Sequence, residues 1–367
     1  MHFNRSTKSF APASLSTLAL FFLAVIFLGA PAGAQKTKQL PPPPPVPRYR
    51  PKPTPTPAEP EYEVLRVSSN LVMAPVSVTD ASGQPVLGLK TSDFRIEEDG
   101  HPQEIAQIGD PEQVPLDIAL LIDVSGSVVA RFGFEQEAAA SFLQQVLKPE
   151  DRATVFAIDE TPRMIQQLTS AQLAARKLMT VVPSNGYTAF FDSVLAATNY
   201  LDKSSTSGRR RIVVVISDGD DTARILEVSA AQNRANSPPI IGLDAQIRLV
   251  QKAQLDTQRE VQRAEITFYS INPSGQTMHL NVRTARSEEG MERIAAATGG
   301  AAFVPRNEGE LRGIFQRIAS EIRSQYLLQY YSNNKSGGNG FRRISVSTPT
   351  QPQLHVRARE GYFPKAK

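Results

Sequence analysis

Four short apolar runs, at 117–122 (DIALLI), 153–158 (ATVFAI), 211–216 (RIVVVI) and 266–271 (ITFYSI), alternate with segments of helical periodicity. Runs this short, without polar alternation, are the mark of strands buried on both faces. Helices are read at 134–147, 171–179, 190–201, 243–264 and 308–324, with a short last strand at 301–304. Strands spaced by helices give an α/β fold, a doubly wound and mostly parallel sheet covered on both sides. Such a sheet binds ligands at the carboxyl ends of its strands.

The flanks have a different period. Leu71, Met73, Pro75 and Ser77 alternate with Val72, Ala74, Val76 and Val78, and Asp80-Ala81-Ser82-Gly83 and Asp99-Gly100 are hairpin signals. The same texture returns at 326–331 (YLLQYY), 341–347 (FRRISVS) and 354–360 (LHVRARE). Two or three strands alone bury too little surface to stand by themselves. Residues 62–110 and 326–364 are therefore predicted to pair into one small β-sandwich, with the α/β part, 114–324, inserted between them. The sequence shows no internal repeat.

Before these regions, Arg5 and Lys8 precede an uncharged run at 18–30 (LALFFLAVIFLGA), followed by Pro31-Ala32-Gly33-Ala34. A basic start, a short apolar stretch and small residues make 1–34 a secretory signal peptide, with cleavage after Ala34. An uncleaved anchor is the other reading, because 11–34 carries no charge, but 13 strongly apolar residues fall short of the roughly 20 that span a bilayer. Residues 35–61 form a proline-rich linker, with 11 of the chain's 28 prolines at 40–60. Proline fixes φ and removes a backbone donor, so this segment is expected to be an extended stalk. A ligand for proline-reading domains is the alternative. The expected location is exported: periplasmic, cell-surface or secreted.

Composition narrows the chemistry. The 367 residues give length for about two domains. The absence of cysteine excludes disulfide scaffolds, thiolate zinc sites and cysteine nucleophiles. The four histidines, at 2, 101, 279 and 355, have no HExxH spacing. The net charge of +4 conceals an asymmetry: the first 60 residues hold seven basic groups and one acidic, leaving the remainder at −2. The folded part thus offers no electrostatic reason to bind nucleic acid.

The chemistry concentrates at strand ends. Asp123-Val124-Ser125-Gly126-Ser127 follows the first apolar run and presents a carboxylate and two hydroxyls at alternate positions. It has no lysine for a phosphate, so a P-loop reading fails. Thr188 lies in Gly186-Tyr187-Thr188-Ala189-Phe190, just before a helix, and Asp218 in Ser217-Asp218-Gly219, just after 211–216. All three segments should reach one edge of the sheet. Hard oxygen donors of low total charge suit Mg²⁺ or Mn²⁺.

This DxSxS, Thr, Asp order resembles the metal-ion-dependent adhesion site of von Willebrand factor type A domains, over roughly 114–324. The resemblance implies that Ser125 and Ser127 bind the metal directly, Thr188 directly or through water, and Asp123 and Asp218 mostly through water. One position is then left for a carboxylate of the ligand. The whole chain further resembles the exported family of such proteins described from acidobacteria, through 76–89 (VSVTDASGQPVLGL), 93–100 (DFRIEEDG) and 356–363 (VRAREGYF). The implied function is a non-enzymatic module of adhesion or assembly. Its partner is a protein presenting Asp or Glu, with envelope association possible and oligomeric state open. The sequence departs from the family at 222–263, a long polar stretch that either shapes a specificity surface or is a solvated helix pair.

Asp218-Gly219-Asp220-Asp221-Thr222 fits the DxDxT of haloacid-dehalogenase-type phosphatases, although that family carries it on its first strand and no downstream lysine and acidic pair completes it. Serine hydrolysis lacks GxSxG. A structural domain with an unused metal site is the third reading. Asp192 reads as a helix-surface or supporting group, and Asp220 and Asp221 as sources of negative potential or as solvated loop residues.

Overall fold

The computed structural model describes residues 71–364, apart from 127–130, 185, 227–242, 276–281, 308 and 335–339. The segment read as a signal peptide, the proline-rich stretch, Ser127 and part of the 222–263 stretch lie outside the described residues.

The chain enters through four strands, β1 (Leu71–Thr79), β2 (Arg95–Glu98), β3 (His101–Gln103) and β4 (Ile105–Gly109). It leaves through β11 (Tyr326–Tyr331), β12 (Arg342–Ser347), β13 (His355–Ala358) and β14 (Gly361–Tyr362). These pair across more than 200 residues of sequence. One sheet has the order β13-β1-β11-β4 and the other β14-β12-β2-β3. In the first, Val72 faces Tyr330 and Ala74 faces Leu328. Val72, Ala74, Val76, Ile96, Leu328, Tyr330 and Ile344 fill the space between the sheets. The period-two alternation of β1 sets this, since every second side chain turns to the same face. The Asp80 turn closes as the sequence indicates, with Asp80 Oδ1 accepting from the Ser82 and Gln84 amides at 2.8 and 3.0 Å.

Between these flanks stands the α/β layer. Its strands are β5 (Leu116–Asp123), β6 (Arg152–Ile158), β7 (Arg163–Thr169), β8 (Arg210–Ile216), β9 (Ile266–Ile271) and β10 (Ala302–Phe303). They are ordered β10-β9-β8-β5-β6-β7 and run parallel except β7, which is antiparallel to β6. The fold class is thus a mostly parallel sheet with antiparallel sheets beside it. Helices α1 (Phe132–Val146), α2 (Ala171–Leu178) and α6 (Glu310–Ser324) cover one face. Helices α3 (Phe190–Ser204), α4 (Leu243–Arg263) and α5 (Val282–Thr298) cover the other. All eight residues of β5 are buried, as are all six of β9, which explains their uninterrupted apolar text.

Two elements were not read from the sequence. Strand β7 (RMIQQLT) lies at the sheet edge, half exposed, so it carries no apolar run. In α5 the buried apolar residues among those described, Met291, Ile294, Ala295 and Ala297, fall in the second half, behind a glycine at 290. Helix α4 is not a solvated addition. Ala253, Thr257 and Val261 are buried, and the helix forms part of the layer over β8 and β9. No helix among the described residues is long and apolar enough to cross a membrane.

Candidate metal centre

Strand order puts β5 between β6 and β8, and the chain leaves β5 toward the α1 face but leaves β8 toward the α4 face. A crevice at the carboxyl ends follows from that divergence. Asp123 ends β5 and Ser217 follows β8, so both arrive at this edge.

Asp123 is wholly buried. Its Oδ1 accepts the Ser125 amide at 2.9 Å, and its Oδ2 accepts the Ser217 hydroxyl at 2.6 Å. The Ser217 oxygen in turn accepts the Gly219 amide at 3.0 Å. Gly219 has φ +76°, in the left-handed region that favours glycine, and this permits the tight turn after β8. Asp218 Oδ1 accepts the Asp220 amide at 3.1 Å.

Thr188 joins from a third direction. Its amide donates to Thr222 Oγ1 at 2.8 Å, and its carbonyl accepts the Ala223 amide at 3.1 Å. Both bonds use the main chain and leave the Thr188 hydroxyl outside them. The same loop is pinned to β5 and β6, since the Ser184 amide donates to the Val124 carbonyl and the Ala189 amide to the Asp159 carbonyl at 2.9 Å. Asp123, Ser125, Thr188 and Asp218 are therefore brought to one edge by hydrogen bonds that link their loops. Ser127 lies outside the described residues.

Electrostatics distinguish this edge. Burial, then the charges of Asp123 and Asp220, pushes the Asp218 carboxyl up to about 6, with Arg131 opposing. Burial raises Asp123 as well, and the negative charge of Asp159 adds to it against the hydrogen bonds from Ser217 and Ser125. Ionising these carboxylates together is costly, and a cation between them would relieve that cost. Among the described residues, no three His, Cys, Asp or Glu side chains cluster as metal ligands. A cation here would accordingly depend on hydroxyl oxygens, which matches the Ser and Thr donors and a hard divalent ion.

The sequence reading missed three contributors. Ser217 links the β5 and β8 ends. Asp159 receives the Ser184 hydroxyl at 2.9 Å and lends negative charge to Asp123. Arg131 supplies positive charge toward Asp218. Only position could have signalled the first two, since each directly follows a strand. Asp221 is a helix cap and not a solvated loop residue: it is buried, and its Oδ2 accepts the Phe191 amide at the start of α3 at 3.1 Å. Asp192 is a half-exposed group on the surface of α3, paired with Arg224 at 2.5 Å.

The family model of the von Willebrand factor type A domain matches residues 118–220, the span from β5 to the turn after β8. This chain carries a von Willebrand factor type A domain. Domains of this family are in general binding modules and not enzymes. Among solved structures, the von Willebrand factor type A protein from Catenulispora acidiphila is 12% identical with a TM-score of 0.44, covering 82% of this chain and 64% of that one. The vWF domain of the type V pili tip protein Mfa5 from Porphyromonas gingivalis is 14% identical with a TM-score of 0.43, covering 57% and 95%. The PilB minor pilin from Streptococcus sanguinis is 15% identical with a TM-score of 0.43, covering 58% and 62%. This chain thus spans less than two thirds of the Catenulispora and PilB chains. Curated proteins give no match.

Proposed function

We propose that this protein is an exported, cation-dependent binding module whose von Willebrand factor type A domain captures an acidic side chain of a partner protein. One observation carries the reading: the Ser217 to Asp123 and Thr188 to Thr222 hydrogen bonds gather three distant loops, with their carboxylates and hydroxyls, at one edge of the sheet. Ser125, Ser127 and Thr188 would hold a Mg²⁺ or Mn²⁺ ion through hydroxyl oxygens, and Asp123 and Asp218 would act mostly through water. When bound, the cation supplies positive charge to a surface that otherwise carries carboxylates, which a partner Asp or Glu completes.

The protein's own groups do the positioning. Asp123 already takes two hydrogen bonds, so it fixes the 123–125 turn and balances charge. Asp218 is partly accessible, and a bound cation would favour loss of the proton that burial makes its carboxyl hold more tightly. The leader and proline-rich stalk support display outside the cytoplasm, at an envelope or beyond it.

Capture from envelope extracts, with the full chain as bait, tests this reading. A partner retained in Mg²⁺ and released by EDTA is expected, with retention lost in Asp123→Ala and Ser125→Ala. Retention unchanged by EDTA would overturn the cation mechanism. The failure of Mg²⁺ to promote any retention would favour a structural domain with an unused site.

A further inference from the structure

Between the antiparallel flank and helix α6 lies a cavity of about 430 Å³ that shares no residue with the cation edge. Its walls are the end of β1, the turn that follows it, Arg357 of β13 and one face of α6 from Gly313 to Ser324. Residues at 313, 316, 317, 320, 321 and 324 recur at helical spacing, so α6 presents a continuous stripe to this space.

Glu321 is the buried charge on that stripe. The residue is 6% exposed, and it lines the cavity. Its Oε1 accepts from Ser77 at 3.0 Å, from Tyr269 at 2.7 Å and from Arg357. Its Oε2 takes no hydrogen bond from the described residues, yet it is not among the atoms sealed from solvent. A carboxylate oxygen so placed demands a donor, and a ligand hydroxyl serves as well as water. Arg357, in contact with it, gives Nη2 to Glu321 and Nε to the Gly299 carbonyl at 3.4 Å, which leaves Nη1 uncommitted. An open acceptor and an open donor therefore stand side by side.

Charge narrows what they can take. A cation would meet the guanidinium groups of Arg317 and Arg357, around a carboxylate that is already paired. An anion would meet Glu321. A neutral group that donates at one position and accepts at the next fits both, and adjacent hydroxyls do this. Thr79, Gln84, Gln316 and Ser320 line the same cavity, and no hydrogen bond among the described residues uses their side chains. Pro85 and Phe303 add apolar surface suited to the C–H face of a ring. At about 30 Å³ for each water-sized group, the volume of a water in the liquid, the cavity takes about fourteen non-hydrogen atoms, and a hexose has twelve.

We propose that this cavity binds a neutral sugar ring, one hydroxyl donating to Glu321 Oε2 and its neighbour accepting from Arg357 Nη1. The Oε1 side of Glu321 fastens the flank to the α/β layer, while the Oε2 side faces the ligand. The site is independent of the cation edge and stands or falls separately.

The test uses the full chain in EDTA, which removes any contribution from the cation edge. Saturation-transfer NMR and titration calorimetry are run with glucose, galactose, mannose and N-acetylglucosamine, with their methyl glycosides, and with butylguanidinium and butyrate as charged controls. At least one sugar is expected to bind, at one site per chain and more tightly than either control. Gly313→Leu fills the cavity: a Cβ at Gly313 meets nothing within 4 Å, and leucine favours the helix, so the fold is kept. Binding should weaken at least tenfold in Gly313→Leu and in Glu321→Gln, which retains an oxygen for Ser77 and Tyr269. Methyl glycosides bound as tightly as free sugars identify a unit of a glycan, and binding of free sugars alone identifies a monosaccharide. No binding by any sugar, tighter binding of a charged control, or undiminished binding in Gly313→Leu would overturn the proposal.

Discussion

The Ser217 hydroxyl donates to Asp123 Oδ2 at 2.6 Å, joining two strand ends that are 94 residues apart in sequence. Because Ser217 also accepts the Gly219 amide, one hydroxyl sets both the orientation of the Asp123 carboxylate and the turn that carries Asp218. Ser217→Ala removes this link without touching the cation's own hydroxyl donors. The expected result is a folded protein whose Mg²⁺ affinity falls about 10- to 100-fold, the usual cost of losing a group that orients a metal ligand. Calorimetric titration measures it.

Acidity acts on the same edge. With its pKa raised to about 6 from 3.8, Asp218 binds its proton more tightly in the folded chain than in the unfolded one. In the absence of metal, its contribution to stability is present near pH 4 and is lost as pH rises through 6. A divalent cation competes with that proton, so Mg²⁺ affinity should fall about tenfold per pH unit below pH 6. Thermal unfolding with and without Mg²⁺ is expected to show a smaller stabilisation at pH 5 than at pH 7.5, as an affinity about tenfold weaker requires. Equal shifts at both pH values would contradict the assignment of Asp218.

Asp220 separates binding from phosphatase chemistry. It lies in the turn after β8, with its amide on Asp218, and DxDxT chemistry would require it as acid and base. Asp220→Ala is expected to keep Mg²⁺ affinity within a few-fold, and both forms should leave a chromogenic phosphomonoester intact. Turnover by the unsubstituted chain that disappears in the variant would reverse this reading.

Glu321 fastens the antiparallel flanks to the α/β layer. It is buried on α6 and accepts from Ser77 of β1 at 3.0 Å, from Tyr269 of β9 at 2.7 Å and from Arg357 of β13. Glu321→Ala leaves three donors without their acceptor, one of them charged, and should cost about 3 kcal/mol of stability. Denaturant unfolding measures that loss, and the cation edge at the far end of β9 should keep its affinity.

The fold could be read from the sequence wherever burial wrote a simple pattern. The runs of β5, β6, β8 and β9 are apolar because helices cover both of their faces, and β1 alternates because one of its faces packs inward. Strand β7 and helix α5 stayed hidden because edge exposure and a late, glycine-interrupted stripe dilute the signal. Within the candidate site, motif and spacing marked Asp123, Ser125 and Asp218 at strand ends and Thr188 just before a helix, and the folded chain sets these loops along one edge. Ser217, Asp159 and Arg131 were not, since their roles depend on which strands become neighbours and no local spacing records that.

The central claim is that oxygen donors from three loops hold one hard cation. Titration of Mg²⁺ or Mn²⁺ into the metal-free full chain at pH 7.5 tests it most directly. The account predicts one ion per chain, with affinity reduced at least tenfold in Ser125→Ala and in Thr188→Ala while circular dichroism stays unchanged. No binding by the unsubstituted chain, or equal binding by folded variants, would contradict it.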